Sequence, residues 1–348
     1  MPPGVALLTP FSFPSVRGNA VTADRIARGL VERGLAVRVW DLSITGDAAL
    51  VQEVSAYRPV LIHALHAYRV GPAALRLARR LEVPLVLTLT GTDANDDLFD
   101  PARAGVVRGV LEGASTLVVF HESIRDRVIE ALPHLASRLV VIPQAARLDG
   151  TEPCDLGARW SLPERRVLFV FPAGIRPVKA PRAPLVPLER VASRLPDVRL
   201  VYVGPLLDAA EGDALLAGLN GRSWARHIGA IPHRQMASLL AQADVVLNCS
   251  RSEGGMANSV LEALVLQRAV LASDIAGNRS LIEHGVTGLL FRDAGELEAG
   301  AEWLARDPAL RKRLGRAGRE RVEALYPPAR EIEAYLAVYR PLLAVPAV

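Results

Sequence analysis

Two glutamates, Glu253 and Glu262, bracket the segment EGGMANSVLE, and their spacing suits a ligand that carries both hydroxyls and phosphate. The preceding run DVVLNCS reads as a strand, RSEGGMA as a loop, and NSVLEALVL as a helix with Asn258 or Ser259 as the expected N-cap. Amides at such a helix start favour an anion, and Gly254 and Gly255, followed by Met256, allow close approach of the backbone. Glu262, one turn into the helix, can accept two hydroxyl hydrogen bonds from a ribose, and Glu253 could hold sugar hydroxyls. An exposed pair of capping carboxylates is the alternative that the spacing leaves open.

Other candidates also follow strand-like runs. PAGIRPVKAP places Arg176 and Lys179 in a proline-stiffened loop, where two cations could neutralise a diphosphate and a surface pair is the plainer reading. Of 41 basic residues only Lys179 and Lys312 are lysines, which makes Lys179 unusual in this chain. Gly18 and Asn19 are expected at the turn between the first strand and the first helix, where backbone amides can meet a ligand. In IHALHAYR, His66 is expected at the edge of a cleft, while His63, inside the strand pattern, reads as a core residue. In LTLTGTDANDDLFD, Asp93 is a plausible hydroxyl contact, and Asp96 and Asp97 read as solvated or capping. The Asp93, Asn95, Asp97 spacing opens like a calcium loop. Leu98 stands where that loop needs glycine and Ala104 where it needs glutamate, so no metal is expected.

The elements that must position these groups alternate. VALLTP, AVRVWDL, VLIHAL, LVLTLTG, TLVVF and LVVIP are strand candidates in the first half; RVLFVFPAG, RLVYVGP, ARHIGAI, DVVLNCS, AVLASDI and GLLF are those of the second. Helix-period segments such as TADRIARGLVERG separate them, so each half should be a parallel sheet covered on both faces. The fold class is therefore α/β with two Rossmann-like domains. A turn-rich, aperiodic stretch near residues 147–165 marks the linker, giving domains 1–155 and 156–327, with the option that a C-terminal helix over 328–345 packs back on the first.

Composition removes several function classes. The chain has 348 residues, half of them hydrophobic and 22% charged, which suits a globular enzyme rather than a disordered chain. No apolar run is long enough to span a bilayer, and the N-terminus lacks signal-peptide character, so a cytoplasmic location is expected. The net charge of +4 is spread along the chain without a basic, aromatic-studded stripe, which argues against nucleic acid. Contact with an anionic membrane surface stays open. Cys154 and Cys249 form neither a disulfide framework nor a metal motif. Dinucleotide, P-loop and hydrolase-elbow signatures are absent.

Taken together, RGNAVTADRI, ALHAYR, TGTDANDDL, GIRPVK, NCSRSEGG, LEALVLQRAVLASDIAGN and HGVTGLLF resemble, in family order, a retaining GT-B glycosyltransferase of family 4 type. The pattern is similar to the glycosyltransferase 1 domain-containing group and, more distantly, to bacterial selenosugar synthases. The resemblance implies two domains facing across a cleft and a hexosyltransferase-type reaction without metal or cofactor. The donor is a nucleotide-sugar substrate, UDP-sugar by default, bound mainly by the C-terminal domain; the acceptor is unidentified. It implies that Arg176 and Lys179 contact the diphosphate and Glu262 the ribose. Glu253 with the Gly254 and Gly255 backbone would hold the sugar, Gly18 would approach the phosphates, and His66 and Asp93 would flank the anomeric centre or the acceptor. Two departures stand out: the glutamates are nine positions apart where the family has eight, and TGTD replaces a His-Asp pair. A one-residue loop insertion accounts for the first. Transfer to selenophosphate and non-catalytic binding of a nucleotide-sugar are the competing readings.

Overall fold

The computed structural model describes residues 4–148, 150, 152–157 and 162–343. Positions 149, 151 and 158–161 of the expected linker, and 344 and 345 of the expected last helix, lie outside the described residues. The chain divides into two compact units, one of Met1–Gln144 with Pro328–Val348, the other of Ala145–Pro327. The division falls earlier than residue 155 because Cys154 and Leu156 are buried in the second unit's core.

In the first unit, β1 (Gly4–Thr9), β2 (Ala36–Asp41), β3 (Leu61–Leu65), β4 (Leu85–Thr88), β5 (Thr116–Val119) and β6 (Leu139–Val141) form one sheet in the order β2-β1-β3-β4-β5-β6. Every pairing is parallel. β3 to β5 are almost wholly buried, as expected of strands covered on both faces. The sheet separates two apolar layers, one around Leu8, Ile62, Leu87 and Val119, the other around Val5, Leu7, Ile26 and Val86.

The helix Pro328–Leu343 supplies Ile332, Tyr335, Val338 and Tyr339 to the second of these layers. A buried two-bond ion pair, Arg25 Nε and Nη2 to Glu331 at 2.8 and 3.0 Å, fixes it against the helix Gly18–Glu32. Gly29 is required at that contact, since a Cβ there would lie 2.3 Å from Ile332.

In the second unit, β7 (Val167–Pro172), β8 (Val198–Val203), β9 (Ala225–His227), β10 (Val245–Asn248), β11 (Ala269–Ser273) and β12 (Leu289–Phe291) follow the order β12-β11-β10-β7-β8-β9, again all parallel. The order reverses between β7 and β10 here, and between β1 and β3 in the first sheet. Such switch points open crevices beyond the carboxyl ends of the strands, where α/β proteins bind ligands. No helix among the described residues is long and apolar enough to cross a membrane.

Candidate active site

At the switch point of the second unit the chain leaves β7 through Gly174 and Ile175, and Arg176 introduces a short 3-10 turn, Pro177–Lys179. The chain leaving β10 runs alongside, and the Arg251 amide donates to the Val178 carbonyl at 2.8 Å. That ladder brings Lys179 to Glu253, with Nζ to Oε1 at 2.5 Å and both side chains mostly buried. The same Glu253 oxygen accepts from Ser250 Oγ at 2.6 Å and from Asn248 Nδ2 at 3.3 Å. Burial would raise the Glu253 carboxyl, but the Lys179 ammonium and the bonds from Lys179, Ser250 and Asn248 outweigh it and hold the group below its ordinary value.

A second tier supports the first. Asn248 Oδ1 accepts from the Ser250 amide and from Asn278 Nδ2, and Asn278 Nδ2 also reaches Ser273. Gly277, beside Asn278, lies under the glutamate loop; a Cβ there would meet the Gly255 carbonyl at 2.1 Å and Glu253 Cβ at 2.9 Å. Gly255 itself adopts φ 144°, which a side chain would resist, and Gly254 stands half-buried before it.

The helix that follows, Asn258–Val265, has Ala257 as its N-cap and no side-chain cap, so the expected capping by Asn258 or Ser259 does not occur. Met256 and Ala257 are buried and pull the chain into the core one residue too early for either to cap, while Asn258 and Ser259 lie half-buried in the first turn. Glu262 is 6% exposed, and its Oε1 bonds His233 Nε2 at 2.9 Å. His233 starts a short 3-10 turn, His233–Gln235, directly after Pro232.

The switch point of the first unit is built differently. Asn19 and the exposed Gly18 are the first residues of the helix Gly18–Glu32 rather than a free turn, with Arg17 at the N-cap. His66 sits at φ 82° and is buried, not at an exposed edge. Its Nδ1 accepts the Arg69 amide at 3.3 Å, which leaves the proton on Nε2 to donate to Thr92 Oγ1 at 3.0 Å. Asp93 is 0% exposed, and its oxygens accept from the amides of Ala67, Thr90, Gly91 and Ala94. Those bonds use its acceptor capacity, so Asp93 shapes the turn after β4 instead of meeting a hydroxyl. Asp97 is also buried, taking Arg103 Nη1 at 2.8 Å, because the segment Asp93–Asp97 winds as a π-helical turn that points it inward.

Residues 165–307 match the model of glycosyl transferases group 1, and residues 41–145 match that of the glycosyl transferase 4-like domain. A Xenopus tropicalis protein named glycosyltransferase 1 domain-containing protein 1 is 27% identical over 303 residues, spanning 85% of this chain and 86% of its own length. Among solved structures, Anabaena HepE in complex with UDP and glucose superposes with a TM-score of 0.80 at 17% identity, covering 97% of this chain and 99% of that one. Sucrose-phosphate synthase from Thermosynechococcus elongatus gives 0.81 at 20% identity, covering 98% and 99%. The chain is a GT-B glycosyltransferase of the family 4 type.

In this glycosyltransferase the second switch point pairs Lys179 with Glu253, with Gly254 and Gly255 next in the loop, Arg176 on the adjoining turn and Glu262, bonded to His233, on the helix that follows. Sequence reasoning missed His233, Asn248, Ser250 and Asn278. His233 carries no local signal in the sequence that points to Glu262, 29 positions away. For Asn248 and Ser250 the signal was present: two polar residues at the mouth of an otherwise apolar strand.

Proposed function

We propose that this glycosyltransferase transfers a hexose from a UDP-sugar to an acceptor with retention of configuration and without a metal ion. The observation that supports the reading best is the Lys179–Glu253 pair held beside the helix Asn258–Val265. One cation, one carboxylate and a helix start then sit at one switch point. In the reaction the anomeric carbon loses its bond to the diphosphate oxygen and gains one to the acceptor oxygen. The acceptor's proton passes to the departing phosphate, so UDP leaves carrying the bonding electron pair. Charge growing on that diphosphate is met by Arg176, Lys179 and the first-turn amides at Asn258 and Ser259, which supply the positive potential that a divalent cation would otherwise provide.

Glu253, kept ionised by its partners, orients the sugar hydroxyls with the Gly254 and Gly255 backbone and Met256 beside them. Glu262, oriented by His233, accepts from the ribose. His66 and Asp93 act by holding the loops after β3 and β4 in place. The UDP moiety in the Anabaena HepE complex supports the choice of nucleotide.

The test is a panel of UDP-, GDP- and ADP-sugars with EDTA present, read by thermal stabilisation and by nucleotide release. UDP-sugars alone should stabilise the protein, by about 2.7 kcal/mol at 100 times the dissociation constant. Stabilisation by another nucleotide class, or only after a divalent ion is restored, would refute the corresponding part. An α-configured product from an α-linked donor, seen by NMR, is the expected outcome for retention.

A further inference from the structure

The switch point of the first unit carries a charge arrangement that the reaction outlined above leaves unused. Arg17 Cζ lies 3.9 Å from the centroid of the Phe11 ring and Arg69 Cζ lies 5.9 Å from the same centroid. Phe11 and Arg17 belong to the loop after β1, and Arg69 to the loop after β3, so one phenyl ring gathers two guanidinium groups at the point where the strand order reverses. The backbone around them is pinned. Thr9 Oγ1 donates to the Phe11 carbonyl at 2.9 Å, the Ser12 amide donates to Asp41 Oδ2 at 2.6 Å, and the Arg69 amide is held by His66.

Neither guanidinium has a carboxylate partner among the described residues. The helices that start beside them, Gly18–Glu32 and Gly71–Leu81, have no acidic residue in their first turns. Asp41, which closes the loop after β1, is taken by the amides and hydroxyls of Ser12 and Ser43. Burial, with the like charge of Arg69 adding to it, pulls Arg17 below the ordinary guanidinium range.

We propose that Phe11, Arg17 and Arg69 form a binding site for a phosphoryl group, and that this group belongs to the acceptor. Two planar forks against a ring match a phosphate monoester, whose charge near neutral pH approaches −2 and balances the pair. The amide end of the helix starting at Gly18 adds to the same potential. The assignment to the acceptor rests on the glycosyltransferase reading. The site itself does not, because all of its parts lie in the first unit.

The probe is inorganic phosphate, titrated into the full chain carrying nitrogen-15 arginine, with the side-chain Nε–H signals of Arg17 and Arg69 followed. Saturable shifts of both signals are expected, with a dissociation constant on the order of 1 mM. The shifts should persist when UDP saturates the protein, and R69Q should weaken them roughly tenfold while leaving the melting temperature unchanged. R17Q, scored on the Arg69 signal, gives a second and independent reading. Absence of a saturable shift, or a titration unaltered in both variants, overturns the site. Displacement of phosphate by UDP overturns the assignment to the acceptor and gives the site to the donor's diphosphate. The phosphate titration without UDP, in the wild-type chain and in both variants, stands whatever the nucleotide panel shows.

Discussion

The two switch points place opposite electrostatic problems on the same architecture. Beyond β7 and β10, Lys179 meets Glu253, and the carboxylate is further held by Ser250 and Asn248, so charge is balanced before any ligand arrives. Beyond β1 and β3, Arg17 and Arg69 share the Phe11 ring without a carboxylate, while the nearby acids Asp41 and Asp93 are consumed by backbone amides and hydroxyls. A balanced site loses little on desolvation and can exchange partners as charge develops. An unbalanced one attracts an anion outright. In the proposed reaction the contrast suits a donor that must be held and then cleaved, and an acceptor that must first be captured.

Breaking the balanced side should have the largest effect. Lys179→Ala should lower kcat for UDP release by about 100- to 1000-fold at saturating donor, the scale seen when one transition-state donor is removed. A variant with wild-type kcat would remove Lys179 from the reaction. Glu262→Gln should act mainly on binding and raise KM for the donor by roughly 10- to 100-fold. If kcat falls and KM does not, the ribose assignment fails.

Acid sharpens the comparison through stability. His63 is buried between Thr88 and Tyr339, and burial pulls it down to about 3. Between that value and its ordinary 6.5 the unfolded chain binds a proton that the folded one does not, so stability falls as pH falls. The first unit should lose about 2 kcal/mol on going from neutral pH to pH 5, and His63→Gln should flatten that slope. Glu253 behaves differently, because its depressed carboxyl contributes fully above 4.5 and is lost only as pH falls through the lower folded value. Segment-resolved hydrogen exchange, corrected for intrinsic rates, should therefore show the first unit loosening before the glutamate loop. Gly277→Ala should cost about 1 to 3 kcal/mol of stability with the loop displaced from Lys179, measured by urea unfolding.

Twelve strand-like runs were legible in the sequence because strands covered on both faces are continuous apolar stretches, as in VVLN of β10 and LVLT of β4. The cluster beyond β7 and β10 was legible for a related reason: its residues stand directly after such runs. What sequence could not supply was the direction in which a polar side chain turns. His66 and Asp93 occupy the expected positions after β3 and β4, yet a left-handed backbone at His66 and a π-helical turn at Asp93 fold both inward. Ala257 rather than Asn258 caps its helix because Met256 seeks the core. His233 reaches Glu262 from 29 positions away, a pairing that only the sheet order creates.

The helix Pro328–Leu343 closes the first unit's core through Ile332 and Tyr339 and through the Arg25–Glu331 pair, although all of the second unit is encoded before it. During synthesis the first sheet therefore emerges with one face covered only in part, by the helix Gly18–Glu32, and waits while residues 145–327 are made. The second unit, contiguous in sequence, can complete itself in that interval. The order of completion thus inverts the order of translation: the second unit can be assembled first, and the unit begun earliest is sealed last.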